Sequence, residues 1–142
     1  MKPIGGFFEL ELPVPGRGYH PEAIALSTGR ACISLILECE KPSRVFIPYY
    51  CCDALLEPME KMGIDYELYV IDEALEPQDL SEPLEGELLI VTNFFGLKNQ
   101  LIEKLVNCYG SRLLVDDPFR FFKKGYEWFL CIFTVAERTE VC

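Results

Sequence analysis

"LLIVTN", residues 88–93, decides the fold. Leu88, Leu89, Ile90 and Val91 follow one another with no polar residue between them, so neither side of this strand is left for water. A short run that is apolar on both faces belongs to a sheet covered on both faces, as parallel sheets are. "RVFIP" (44–48) and "RLLVDD" (112–117) read the same way, and "DYELYVI" (65–71) is a further strand. Between them lie three stretches with helical spacing, "STGRACISLILECE" (27–40), "CCDALLEPMEKMG" (51–63) and "NQLIEKLVNCYG" (99–110). From Ser27 the order is helix, strand, helix, strand, strand, helix, strand. That alternation predicts an α/β fold in three layers with a mostly parallel sheet.

Local chemistry marks the element ends. Ser27 or Thr28 caps the first helix, Pro42 stops it, and Gly63 and Gly110 close the other two. Pro58 is expected to bend the second helix. The expected inward faces are Ala31, Cys32, Leu35, Ile36 and Cys39; then Leu55, Leu56, Met59 and Met62; then Leu101, Ile102, Leu105 and Val106. "GGFFELELP" (5–13) alternates like an exposed strand, and residues 72–87 form an acidic, proline-containing connection. Ligands of such sheets bind beyond the carboxyl ends of the strands. The rule places residues 48–51, 93–96 and 116–119 along one rim.

Composition narrows the function. A chain of 142 residues, half of them hydrophobic, has enough apolar material for one domain with a true core. A formal net charge of -10 argues against non-specific nucleic-acid binding and against docking on anionic lipid. No apolar run is long enough to span a membrane and none looks like a signal peptide, so a cytoplasmic location is expected. The seven cysteines include no CxxC pair and there is a single histidine, so reduced thiols are expected rather than a zinc site or a disulfide framework. Cys51 and Cys52 would point in different directions on any regular element.

Four places on the predicted rim carry chemistry. The small residues of "STGRAC" open a helix whose N-terminal N–H groups suit an anion such as phosphate, with the Arg30 guanidinium alongside; a capped helix with a surface arginine is the plainer reading. Tyr49 and Tyr50 follow a strand, where a ring either stacks on a planar ligand or packs in an interface. Asn93 either bonds a ring substituent or shapes the turn before Gly96. Asp116 ends a buried strand, and a carboxylate there needs a partner. Arg112 or Arg120 is the local choice; a protonated heterocycle is the other.

Taken in order, "LSTGRACISLIL", "VFIPYYCCDALLEPMEKMG", "YELYVIDEALEP", "VTNFFGLKN" and "LLVDDPFRFF" resemble successive blocks of fold-type I pyridoxal-phosphate (PLP) enzymes. They are most similar to the DegT/StrS, sugar-aminotransferase-like group, over roughly residues 4–122. The resemblance implies a homodimeric aminotransferase passing an amino group from a donor to a keto sugar or similar carbonyl compound. It implies that Asp116, rather than Asp117, meets the pyridine nitrogen of PLP, that Gly29 and Arg30 face its phosphate, that Tyr50 lies against its ring, and that Asn93 borders the pocket. Residues 1–130 would be the N-terminal part of the family's large domain, and 131–142 an aberrant or unstructured tail.

The chain also departs from the family pattern. Phe119 stands where Gln or His is usual, Arg120 replaces a small residue, and "EWFLCIFTVAERTEVC" (127–142) has no lysine where the Schiff-base lysine belongs. This predicts an inactive PLP-dependent transferase fragment. A one-base shift of reading frame across Ile132 to Val141 permits "YFYSSRKNGGV", which resembles the family's lysine stretch, so a frame change after about Phe129 is expected. The alternative from another class is a non-catalytic α/β module that binds a phosphorylated ligand or a partner protein.

Overall fold

The structure, a computed structural model, describes residues 24, 26–80, 82–117 and 133–135. The strand expected at 5–13, the phenylalanine cluster after Pro118 and most of the 131–142 tail lie outside the described residues. Helix α1 (Gly29–Glu40) starts where the Thr28 hydroxyl accepts the Ala31 N–H at 3.2 Å, and ends on Lys41 in the left-handed region just before Pro42. Strand β1 (Arg44–Pro48) leads to α2 (Asp53–Met62), which runs through Pro58 and ends on Gly63 at φ 66, a conformation that suits glycine. Then come β2 (Asp65–Tyr69), β3 (Glu87–Thr92), a single 3-10 turn (Phe94–Gly96), α3 (Asn99–Tyr109), β4 (Leu113–Asp116) and β5 (Phe133–Val135).

The sheet order is β2-β1-β3-β4-β5, with β1 to β4 parallel and β5 antiparallel to β4. β5 falls inside residues 131–142, the segment expected to be an aberrant or unstructured tail. Two cores lie on the two sheet faces. Val45, Ile47, Leu88, Ile90 and Leu114 point to the face covered by α1 and α2, through Ile33, Leu37, Leu55 and Met59. Phe46, Leu89, Val91, Leu113 and Val115 point to the other, against Ile102 of α3 and Tyr69. Alternate residues of each strand are thus buried on opposite sides, which is why the runs read as continuously apolar. The fold is the three-layer α/β arrangement that the alternation of elements predicts.

Two helix faces differ from expectation. In α1 the buried residues are Cys32, Ile33 and Leu37, while Ala31, Leu35, Ile36 and Cys39 are only half-buried. Residues 31–37 are apolar on nearly every side, so the sheet and α2 select the ridge, not the spacing. Met62, the last residue of α2, is 37% exposed. Among the described residues no helix is long and apolar enough to cross a membrane.

Candidate functional site

From β1 the chain passes to β2 on one side; from β3 it passes to β4 on the other. Consecutive strands therefore leave their shared boundary in opposite directions, and a crevice opens between the carboxyl ends of β1 and β3. The cleft there measures about 610 Å³. Thr28, Gly29, Arg30 and Ile33 of the α1 start form one wall. Tyr50, Cys51, Cys52, Ala54 and Leu55 form a second, and Thr92, Phe94 and Asp116 the third.

Asp116 is the acid of this cleft. Its described partner is the Thr92 hydroxyl, which donates to Oδ2 at a long 3.4 Å. Burial, and secondarily the charge of Asp117, push its pKa up to about 6 despite the Thr92 bond. Arg112 does not neutralise it, since that guanidinium bonds the Pro83 carbonyl and Glu82; Arg120 lies outside the described residues. Asp117, by contrast, is 2% exposed and accepts from Asn93 Nδ2 at 2.9 Å.

A carboxyl with a raised folded pKa binds its proton more tightly in the fold than in the unfolded chain. Its stabilising effect is complete below the unfolded value near 3.8 and is lost as pH rises through about 6. Asp116→Asn is therefore expected to stabilise the chain at pH 7.5, by on the order of 2–3 kcal/mol, and to change little at pH 3.5. Urea unfolding at the two pH values measures this. Equal effects at both would refute a buried, under-partnered carboxylate.

Gly29, Arg30 and Tyr50 also line the cleft. The Thr28 cap takes the Ala31 N–H, and helix geometry gives the N–H groups of Gly29 and Arg30 no intrahelical acceptor. Arg30 Nε is 2.6 Å from Glu57 Oε2, so its guanidinium is tied to α2 at the cleft mouth. The hydrogen bond from Lys61, then the nearby Arg30 and Lys61 charges, hold Glu57 below its usual carboxylate range. The Tyr50 ring is 61% exposed and lies 5.7 Å from that of Phe94. Three of the sequence candidates thus gather with Asp116.

Asn93 is not among the lining residues. It is fully buried, donates through Nδ2 to Asp117 and Asn99, and accepts the Lys98 N–H at 2.8 Å. The cause is strand alternation. Thr92 is the register partner of Asp116 and lines the cleft with it; the next residue turns the other way.

Cys51 and Cys52 correct another expectation. They sit on no regular element and both line the cleft. Burial, with Cys52 and Asp53 beside it, pushes the Cys51 thiol up. Thr92, Phe94 and the two thiols are site residues that sequence reasoning did not assign to a ligand. Cys51 and Phe94 stand on the predicted rim, and Cys52 and Thr92 fall one residue outside it.

The described cleft is a switch-point site with an acid on one wall and a helix N-terminus on another, suited to a ligand carrying both a cation and an anion. No family model and no curated protein matches the chain. Solved structures similar to it include a protein described as a "putative aminotransferase" from Burkholderia pseudomallei K96243, with 13% identity, 63% of this chain and 37% of that one covered, and a TM-score of 0.47. Another is the sugar aminotransferase CalS13 from Micromonospora echinospora, with 18% identity, 63% and 28% covered, and a TM-score of 0.43. The chain spans little more than a third of the first and less than a third of the second. At these scores the likeness decides nothing about this chain's chemistry.

Proposed function

We propose that the cleft binds pyridoxal 5'-phosphate and that the chain is an aminotransferase-like protein of the DegT/StrS type. The observation that carries this reading is Asp116, a carboxylate set into an apolar cleft whose partner among the described residues is a weakly bound hydroxyl. A pyridinium N–H is the cation that such a carboxylate lacks. The rest of the cleft fits the same molecule. The N–H groups at the start of α1 and Arg30 suit a phosphate, Tyr50 offers a ring face, and about 610 Å³ is ordinary for a cofactor site.

When bound, PLP supplies an electron sink for bond cleavage next to an amino group. This chain's residues would hold the ring nitrogen protonated (Asp116), anchor the phosphate (Gly29, Arg30) and shield one ring face (Tyr50). The whole family activity, amino transfer from an amino donor to a keto sugar or similar carbonyl compound in a homodimer, follows from the resemblance. Exposed Tyr49, Phe95 and Leu97 on the carboxyl-end rim are apolar surface that a second subunit would cover.

No described lysine lines the cleft, and that observation favours the second reading, a module that binds a phosphorylated ligand without catalysis. Competition binding separates the two. PLP is expected to bind at least about tenfold tighter than inorganic phosphate or pyridoxal, because only PLP engages both Asp116 and the helix end. 4-Deoxypyridoxine 5-phosphate, which lacks the aldehyde, should bind within about threefold of PLP. If phosphate or a sugar phosphate binds as tightly as PLP, the first reading fails.

A further inference from the structure

Two carboxylates stand side by side at the end of β4, and on an extended chain adjacent residues face opposite ways. One of the two faces the cleft and the other faces inward. A half-turn of the strand end would exchange them. Thr92 and Asn93, at the end of β3, meet this pair. Thr92 bonds Asp116 on the cleft side, and Asn93 bonds Asp117 on the buried side. The Asn93 backbone N–H also donates to the Asp116 carbonyl at 2.8 Å. Its side chain reaches the start of α3 through Lys98 N and Asn99 Oδ1. One asparagine thus ties β3, β4 and α3 together.

We infer that Asn93 is a positioning residue which, by gripping Asp117, fixes Asp116 as the carboxylate presented to the ligand in the cleft. This rests on the reading of the cleft as a site for a cationic ring. The physical reason is the cost of a buried charge. An inward carboxylate that loses the Asn93 Nδ2 donor is unfavourable by several kcal/mol, of the order that breaking a buried pair costs. The strand end would then turn Asp117 toward water at the cleft, and Asp116 would leave the ligand. With the donor in place, Asp117 stays inward and Asp116 has nowhere else to point. The role differs from that implied for Asn93 by sequence resemblance, since it acts through Asp117 and touches no ligand.

The test compares Asn93→Ala with the double variant Asn93→Ala/Asp117→Asn in the full chain. Both remove the Nδ2 donor, and only the first leaves an inward charge that has lost it. Carboxyl-carbon NMR follows the Asp116 titration without ligand, and calorimetry measures PLP binding. Asp116 should titrate near 6 in the original chain. It should fall to about 4 in Asn93→Ala, where the strand end turns and Asp116 meets water, and stay above about 5 in the double variant, where no inward charge drives the turn. PLP affinity should drop about tenfold in Asn93→Ala and less than about threefold in the double variant.

Identical titrations and affinities in the two variants would overturn the inference. Should Asn93→Ala not fold, Asn93→Leu keeps the volume without a donor and makes the same comparison, alone and with Asp117→Asn. If PLP does not bind the original chain, the reading of the cleft fails, and the Asp116 titrations alone still decide the role of Asn93. If PLP binds and the titrations and affinities do not separate, only the role of Asn93 fails.

Discussion

Asp116→Ala should weaken PLP binding about a hundredfold, the largest loss expected from any substitution in the cleft. The bond at stake is charge-assisted and shielded from water. Removing one partner of such a pair costs about 3 kcal/mol or more, and each 1.4 kcal/mol is tenfold in affinity. Asp117→Ala acts only through the strand end and should cost about a tenth of that factor. Asp116→Asn keeps the shape and should still lose most of the effect, because the carboxylate charge is what the ring N–H requires. The same residue that weakens the free chain above pH 6 is thus the one the ligand needs, a conflict typical of binding sites. Equal PLP affinity for the original chain and Asp116→Ala, measured by calorimetry at pH 7.5, would remove the ring-nitrogen role.

The layers of the fold were legible in sequence because β3 and β4 are apolar on both faces. Only a sheet covered twice accepts "LLIV" and "LLV". The rim was legible too, since it follows from strand direction once the sheet is parallel. Side-chain direction at the rim was not. Asn93 and Thr92 are neighbours, and whether 92 or 93 shares a face with Asp116 depends on the β3–β4 register, Thr92 to Asp116. Register between strands 24 residues apart is a tertiary property. The inward ridge of α1 escaped for a related reason. Ile33 and Leu37 are as apolar as Leu35 and Ile36, and only the packed sheet chooses between them. Cys51 and Cys52 were read on a regular element, and they belong to the irregular turn between β1 and α2.

Borohydride reduction of the chain with PLP is expected to fix no cofactor stoichiometrically to any single lysine. Covalent attachment and proton transfer at the substrate carbon both need an amine within bonding reach, and geometry comes before pKa. The described lysines fail on geometry. Lys41 follows the carboxyl end of α1, a helix of 12 residues whose other end forms the cleft wall, so roughly 18 Å separates the two. Lys61 is held by Glu57, whose other oxygen takes Arg30, so its ammonium is spent in an ion pair at the mouth and does not line the cleft. Lys98 pairs with Glu76, and Lys104 is exposed on α3, across the sheet from α1. Amino transfer with PLP and an amine donor should accordingly run about 10²–10⁴-fold below a system with a placed general base. Peptide mapping after reduction distinguishes scattered surface labelling from a single site. One lysine labelled to completion, together with half-transamination of a donor amine, would show that the chain brings an amine into the cleft and would end the claim.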